Sequence, residues 1–148
     1  MVISIIGGTG KEGRGLAYRL AKAKHQIIIG SRDYEKAKKA VSVLNAPSNN
    51  IRPIMGKQNI EAAKEGEIIV LTVPYTAHRS TLATIKELVQ GKIVIDVTVP
   101  LIPPHITQVH IPEAGSAAVE AQQILGDKVK VVSAFQNIAY ENLFRNED

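Results

Sequence analysis

The stretch that decides the fold is VISIIGGTGKEG, residues 2–13. Its first part, Val2–Ile6, is rich in β-branched residues and apolar at most positions, which is typical of a strand buried on both faces of a sheet. The motif G-x-G-x-x-G (8–13) comes directly after it and opens a segment, 11–23, with apolar residues at helical spacing. A strand, a glycine-rich turn and a helix in this order predict a unit that binds a dinucleotide.

Each glycine of the motif has a physical task in such a unit. Gly8 permits the tight turn, Gly10 lets the backbone approach a diphosphate, and Gly13 allows the helix to pack closely on the strand. The free N–H groups and the positive end of the helix then face the phosphates. The alternative is an ordinary strand–helix turn, and the position of the motif directly after the first strand favours the nucleotide site.

The rest of the chain alternates between apolar runs and segments with helical spacing. Further strands are predicted at 26–29, 51–55, 67–73, 92–97 and 128–132. Helices are predicted at 34–44, 60–64, 81–89 and 116–125. Loops are predicted at 46–50 and 100–112, and Gly66, Gly91 and Gly126 as left-handed helix ends. This pattern predicts an α/β fold with a doubly wound, mostly parallel sheet of the Rossmann type.

Composition sets the limits on function. The 148 residues are 45% hydrophobic and 22% charged, so we expect one domain over 1–148. No apolar run approaches the roughly 20 residues that span a bilayer, so we expect a cytoplasmic protein without a membrane partner. The absence of cysteine excludes disulfides and thiolate metal sites. The net charge of +4 comes with only 4% aromatic residues, which fits small phosphorylated ligands better than nucleic acid.

No acid–base pair and no metal site can be identified in the sequence. The four histidines, at positions 25, 78, 105 and 110, lack metal-ligand spacing. His25 is expected to be structural, and His78 is the one histidine that could touch a ligand. Glu61 and Glu65 share a helix face, where solvated charges explain them better than paired carboxylates do.

The end of the second strand indicates which dinucleotide is bound. Sites for NAD usually carry Asp or Glu there, whereas this chain has Gly30, Ser31 and Arg32. Arg32 can bind a 2′-phosphate through two of its N–H groups, Ser31 can donate another hydrogen bond, and Lys36 lies one helical turn further on. The sequence therefore favours NADP(H). The alternative is that Arg32 and Lys36 are solvated residues at the start of a helix that Asp33 caps.

These residues also carry a family resemblance. The segments that carry it are IGGTG (6–10), GSR (30–32) with Lys36, LTVPY (71–75), KIVID (92–96), VP (99–100), SAA (116–118) and VVSAF (131–135). Together they resemble the NADPH-dependent F420 reductases, which pass hydride between NADP and the deazaflavin coenzyme F420. The resemblance covers nearly the whole chain.

The resemblance implies a set of cofactor contacts. Thr9, Gly10, Lys11 and Glu12 would surround the diphosphate, and Ser31, Arg32 and Lys36 would take the 2′-phosphate. Pro74 and Val99 would line the nicotinamide side, and Tyr140 would also border the pocket. The deazaflavin would lie near Tyr75 and 135–138. Direct hydride transfer between two rings needs proximity and orientation, and no catalytic side chain is assigned.

The reductases of this family are longer than the region that resembles this chain. They continue into a further strand and a small helical domain that closes over the site and builds a dimer. Here the chain ends at Asp148. It is expected to be a fragment, a naturally short relative or half of a split enzyme. The oligomeric state stays open, and exposed apolar surface around Leu143 and Phe144 would favour self-association, for example as a homodimer. Two other functions stay open, a reductase of an imine, carbonyl, flavin or ferric acceptor and a non-catalytic NADP-binding module.

The substitution Arg32→Asp tests the choice of cofactor. Because hydrogen bonds to charged groups contribute about 1.5–3 kcal/mol each, we expect NADP to bind roughly a hundredfold or more weakly. Binding of NAD should change much less. The measurement is a pair of titrations with the two nucleotides. An equal loss for both would show that Arg32 does not contact the 2′-phosphate.

Overall fold

A six-stranded sheet forms the centre of the molecule. The structure, a computed structural model, describes residues 1–46 and 51–145. The strands of the sheet are β1 (Val2–Ile6), β2 (Gln26–Ser31), β3 (Met55–Gln58), β4 (Ile68–Leu71), β5 (Ile93–Asp96) and β8 (Lys130–Ser133). They lie in the order β3-β2-β1-β4-β5-β8, and every neighbouring pair is parallel. The predicted Rossmann-type fold is confirmed.

Helices connect the strands and cover both faces of the sheet. They are α1 (Lys11–Lys22), α2 (Tyr34–Leu44), α3 (Asn59–Glu65), α4 (Tyr75–Ile85), α5 (Ala117–Leu125) and α6 (Tyr140–Leu143). A short 3₁₀ turn, Lys86–Leu88, comes after α4. In residues 1–46 and 51–145, no helix combines the length and the apolar character that crossing a bilayer requires.

Two apolar layers hold the sheet and the helices together. Successive side chains of a strand point to opposite faces, so Ile3 and Ile5 pack under α1 while Ile6 packs under α3 and α4. Ile5 and Ile6 are completely buried. Each such side chain contributes about 1.5–3 kcal/mol through its burial. Since β1 supplies side chains to both layers, it lies at the centre of the core.

The order of the strands places a cleft at one edge of the sheet. The chain runs from β1 outward to β2 and β3, and then returns to the other side of β1 with β4 and β5. The connections after β1 and β4 therefore leave in opposite directions. Ligands of open α/β sheets bind at such a point, outside the carboxyl ends of the strands.

The third strand begins later than predicted. The segment 51–55 was expected to be a strand, but the strand is Met55–Gln58. Asn45 explains the difference, because its Oδ1 accepts from Ile54 N at 2.9 Å and its Nδ2 donates to Ile54 O at 2.8 Å. The backbone polar groups of Ile54 are thus bonded to the end of α2 instead of to the sheet.

Two further segments differ from the expectation. The fourth helix was predicted at 81–89, but it starts at Tyr75, directly after Pro74. Proline is compatible with a helix start, because it needs no intrahelical partner for a backbone N–H. The segment 100–112 was predicted to be a loop, yet it contains an antiparallel hairpin of β6 (Leu101–Ile102) and β7 (His105–Val109). Of the loop predicted at 46–50, residues 47–50 lie outside the described residues.

The glycines that come after helices divide into two kinds. Gly91 and Gly126 have positive φ values of 78° and 84°. Gly66 has a φ of −65°, so the predicted left-handed conformation is wrong there. A Cβ at Gly66 would lie 2.6 Å from Ser4 Oγ. A glycine is needed at position 66 because a side chain there would collide with β1, and not because of its backbone conformation.

The pair Gly13→Ala and Gly10→Ala tests the packing of the first turn. A Cβ at position 13 would lie 2.6 Å from Gly8 Cα, whereas one at position 10 would meet nothing within 4 Å. Overpacking costs about 1–3 kcal/mol, so we expect Gly13→Ala to lower the melting temperature by roughly 2–8 °C. Gly10→Ala should melt within about 2 °C of the wild type. Equal melting temperatures for the two variants would contradict this account.

Candidate functional site

A cavity of about 540 Å³ lies at the carboxyl ends of β1, β2, β4 and β5. All the predicted site residues except Gly8 and Tyr140 line it. These are Thr9, Gly10, Lys11, Glu12, Gly13, Ser31, Arg32, Lys36, Pro74, Tyr75 and Val99. Residues from four strand ends thus meet in one cleft, which we call the main cavity.

The glycine-rich turn forms the floor of the main cavity. Gly7 has a φ of 73°, and a Cβ there would lie 2.5 Å from Val73 Cγ1. Gly7 is therefore the residue of the turn that has a positive φ, whereas the sequence analysis assigned the tight turn to Gly8. Gly8 lies beneath the turn, where its N–H donates to Gly30 O at 3.0 Å. A Cβ on Gly8 would be 2.8 Å from Ile5 O, which explains the glycine by close packing.

The N-terminus of α1 faces the same space. Gly10 precedes the helix in an extended conformation, and no side chain caps the first N–H groups. The space beside Gly10 is open, since an added Cβ would meet no atom within 4 Å. Unsatisfied N–H groups and the positive end of a helix of 12 residues suit an anion such as a diphosphate.

A cationic corner, formed by Ser31, Arg32 and Lys36, lies at the end of β2. Asp33 caps α2, because its Oδ1 accepts from Glu35 N at 3.0 Å and Lys36 N at 3.4 Å. Ser31 Oγ accepts from Asp33 N at 3.2 Å, so its own O–H is free to donate. In the part of the chain that the structure describes, the side chains of Arg32 and Lys36 form no ion pair. Asp33 is thus the helix cap, and the two cations are available to an anion in the main cavity.

The opposite end of the main cavity is less polar. Pro74, Val97 and Val99 line it together with Tyr75, whose hydroxyl donates to Glu120 Oε2 at 2.8 Å. Partial burial raises the pKa of Tyr75 above 10.0, and the hydrogen bond to Glu120 adds to this effect. Glu120 is held in turn by Arg79 Nη2 at 2.6 Å. The phenol is therefore protonated at neutral pH and fixed in place by α5.

His78 lies behind this end of the cavity and does not line it. Its ring is completely buried, and Nε2 lies 2.8 Å from Asp96 Oδ2. The other oxygen of Asp96 accepts from Thr98 N at 3.0 Å. The pair of His78 and Asp96 thus supports the chain beside Val99. The sequence left open whether His78 touches a ligand. In the structure its ring contacts Asp96 and does not line the main cavity.

Tyr140 contacts the wall of the main cavity from outside. Lys11 Nζ donates to its hydroxyl at 3.2 Å and lies 4.8 Å from the centre of its ring. Leu143, in the same helix, is buried against Gly15 of α1. The expectation of exposed apolar surface is therefore wrong for Leu143. Phe144 is 40% exposed and packs beside Tyr18, with 5.7 Å between ring centres.

Two polar residues of the site were missed in the sequence. Asn59 is 8% exposed, and its Oδ1 accepts from Gly7 N at 3.2 Å. Thr72 Oγ1 donates to Ile6 O at 3.1 Å, and Gly13 packs directly on that hydroxyl. Both line the main cavity. Asn59 comes directly after β3, so a correct end for that strand would have placed it at the carboxyl edge of the sheet.

The acidic residues of α3 have structural partners. Glu61 accepts from Gln58 N at 3.1 Å as part of a capping box, and Glu65 pairs with Lys57. Both glutamates are exposed and have separate partners, so they do not form the pair of carboxylates that the sequence analysis disfavoured. Within 1–46 and 51–145, no three side chains of the types that bind metals lie close enough together to hold an ion.

The carboxyl of Glu12 makes stability depend on pH. Partial burial raises its pKa above the ordinary value of 4.5, and the nearby charge of Glu141 raises it further. Because the folded chain binds this proton more readily than the unfolded chain does, ionisation of Glu12 destabilises the fold at neutral pH. The effect disappears as the pH falls below 4.5, where both states are protonated.

We therefore expect Glu12→Gln to melt slightly above the wild type at pH 7–8. The difference should shrink as the pH approaches 4.5. Thermal melts across this pH range provide the measurement. A lower melting temperature for Glu12→Gln at pH 8 would contradict the assignment.

Comparisons with known proteins identify the family of the chain. Residues 2–100 match the family described as "NADP oxidoreductase coenzyme F420-dependent". An F420-dependent NADP reductase from Methanocaldococcus jannaschii is 45% identical over an alignment of 147 positions, and the match covers 95% of this chain and 65% of that protein. The corresponding reductase from Methanothermobacter marburgensis is 42% identical over 94% of this chain and 64% of its own length.

A solved structure shows the same fold. The crystal structure assigned as an F420-dependent NADP reductase from Arthrobacter sp. FB24 superposes with a TM-score of 0.76 at 22% identity. The match covers 94% of this chain and 64% of that one. The chain thus spans slightly less than two thirds of the length of these relatives. By the match over residues 2–100, the chain belongs to the family of F420-dependent NADP oxidoreductases.

Proposed function

We propose that the chain binds NADP(H) and supports hydride transfer between NADP(H) and coenzyme F420. The binding of NADP(H) is supported by the cationic corner. There Arg32 and Lys36 line the main cavity without an ion-pair partner among the described residues. A 2′-phosphate supplies the charge and the acceptor oxygens that these two side chains lack. NADH offers only ribose hydroxyls at that place.

The position of Asp33 supports the same choice. An acidic side chain near the end of β2 would bind the ribose hydroxyls of NAD if it faced them. Here one oxygen of Asp33 is engaged by the first N–H groups of α2, and the residue acts as a helix cap. The corner is therefore dominated by positive charge. It favours the nucleotide that carries an extra phosphate.

The remaining contacts would orient the dinucleotide along the main cavity. The N-terminus of α1 receives the diphosphate, and the less polar end with Pro74, Tyr75 and Val99 receives the nicotinamide ring. When bound there, NADPH would supply a hydride to the deazaflavin ring, which would also take up a proton from water. The chain contributes orientation and excludes water from one face of the ring.

The assignment of F420 as the second substrate rests on the relatives. The proteins from Methanocaldococcus jannaschii and Methanothermobacter marburgensis are both named F420-dependent NADP reductases. Tyr75 stands at the end of the main cavity that would receive the nicotinamide, and its ring lies 6.3 Å from that of His110. Because Tyr75 lines the main cavity, its ring would give an acceptor an aromatic surface beside the nicotinamide.

Mixing the protein with NADPH and oxidised F420 tests the proposal. We expect the absorbance of the oxidised deazaflavin to fall with NADPH and much more slowly with NADH. The variant Arg32→Gln tests the cofactor site, since it removes one of the two positive charges at the cationic corner and leaves the nicotinamide end intact. It should lose activity through a higher KM for NADPH, with kcat nearly unchanged.

Three other outcomes would contradict parts of the proposal. No loss of deazaflavin absorbance with NADPH demonstrably bound would reject F420 as the acceptor. Oxidation of NADPH by an imine, carbonyl, flavin or ferric compound would then indicate a different reductase. Tight binding of NADPH with no oxidation by any acceptor would indicate a binding module.

A further inference from the structure

Asn59 lies where two cavities meet. It is the first residue of α3, and the pairing of Ser31 with Gln58 places it beside the carboxyl end of β2. It lines the main cavity and also a second cavity of about 350 Å³. Ser31 and Arg32 line both of these cavities as well. Asn59 is therefore a neighbour of the cationic corner.

The hydrogen bond to Gly7 fixes the orientation of the Asn59 amide. A backbone N–H can only donate, so the side chain must present Oδ1 to Gly7 N, at 3.2 Å. Gly30 leaves room for this oxygen, since a Cβ there would lie 2.8 Å from it. The Nδ2 group is consequently at the other end of the amide, away from Gly7.

The Nδ2 group has two N–H donors and no acceptor among the residues that the structure describes. The residue is 8% exposed, so water reaches it only through the cavities. Nδ2 is not among the fully buried side-chain atoms, so it is accessible from the cavities and its N–H groups are free to donate. A ligand with acceptor oxygens in the adjoining cavity would satisfy them.

We infer that Asn59 is a specificity-determining residue, which donates through Nδ2 to the 2′-phosphate of NADP(H) while its Oδ1 holds the glycine-rich turn. The inference rests on the proposed binding of NADP(H) and adds a donor to those of Ser31, Arg32 and Lys36. A single amide thereby couples the shape of the turn that receives the diphosphate to recognition of the phosphate on the adenosine ribose.

The substitution Asn59→Asp separates the two ends of the amide. Aspartate keeps an oxygen for Gly7 N and replaces the Nδ2 donor with a second, negatively charged oxygen. Loss of one hydrogen bond to a charged group corresponds to roughly a ten- to hundredfold weaker binding. We expect Asn59→Asp to weaken the binding of NADPH by at least this factor. The dissociation constant of NADH should change no more than about threefold, because NADH lacks the 2′-phosphate.

The readout is the ratio of the two dissociation constants, measured by titration of nucleotide fluorescence. Gln123→Glu is the matched control, because it makes the same change in charge at an exposed position of α5, away from the main cavity. It should leave the ratio at the wild-type value. If Asn59→Asp does not fold, Asn59→Ala is titrated instead, and the same fall in selectivity is expected.

The outcomes distinguish this inference from the proposed function. A wild-type protein that binds NADPH and NADH equally overturns both. A wild type that prefers NADPH, with a variant that keeps the same ratio, overturns only the role of Asn59. If the binding of both nucleotides is weakened equally, the inference is likewise overturned. A residue that acts only through the glycine-rich turn would affect binding of the diphosphate, which both nucleotides contain. A selective loss of NADPH supports it.

Discussion

The site depends on a close approach between the turn after β1 and the start of the connection after β4. Gly7 takes a positive φ beside Val73, and Gly13 packs on the backbone of Gly8 and the hydroxyl of Thr72. Side chains at these two positions would occupy space that already contains other atoms. This packing brings the N-terminus of α1 to the edge of the sheet, where its N–H groups can face an anion.

The two ends of the main cavity differ in their electrostatics. At the end of β2, Arg32 and Lys36 supply positive charge, while Asp33 is engaged in capping α2. At the ends of β4 and β5, Pro74 and Val99 supply an apolar wall, and the Tyr75 phenol is bonded to Glu120. A dinucleotide with a charged end and a flat aromatic end matches this arrangement. The buried pair of His78 and Asp96 supports the wall from behind.

The sequence predicted those parts of the fold and the site that depend on local patterns. The strand Val2–Ile6, the glycine-rich turn and the cationic corner each lie within a few neighbouring residues, so their spacing alone could be interpreted. Asn59 and Gly7 are 52 positions apart, and their contact also required the correct end of β3. That strand was misplaced because Asn45 binds Ile54 outside the sheet. The packing of Gly66 on Ser4 likewise has no local signal.

The central claim is that the cationic corner recognises a phosphate on the adenosine ribose. It is tested most directly by calorimetric titration with 2′,5′-ADP and with 5′-AMP, which differ only in that phosphate. The account predicts that 2′,5′-ADP binds roughly a hundredfold more tightly at low salt, and that this advantage shrinks as the ionic strength rises. Equal affinities for the two nucleotides at low salt would contradict it.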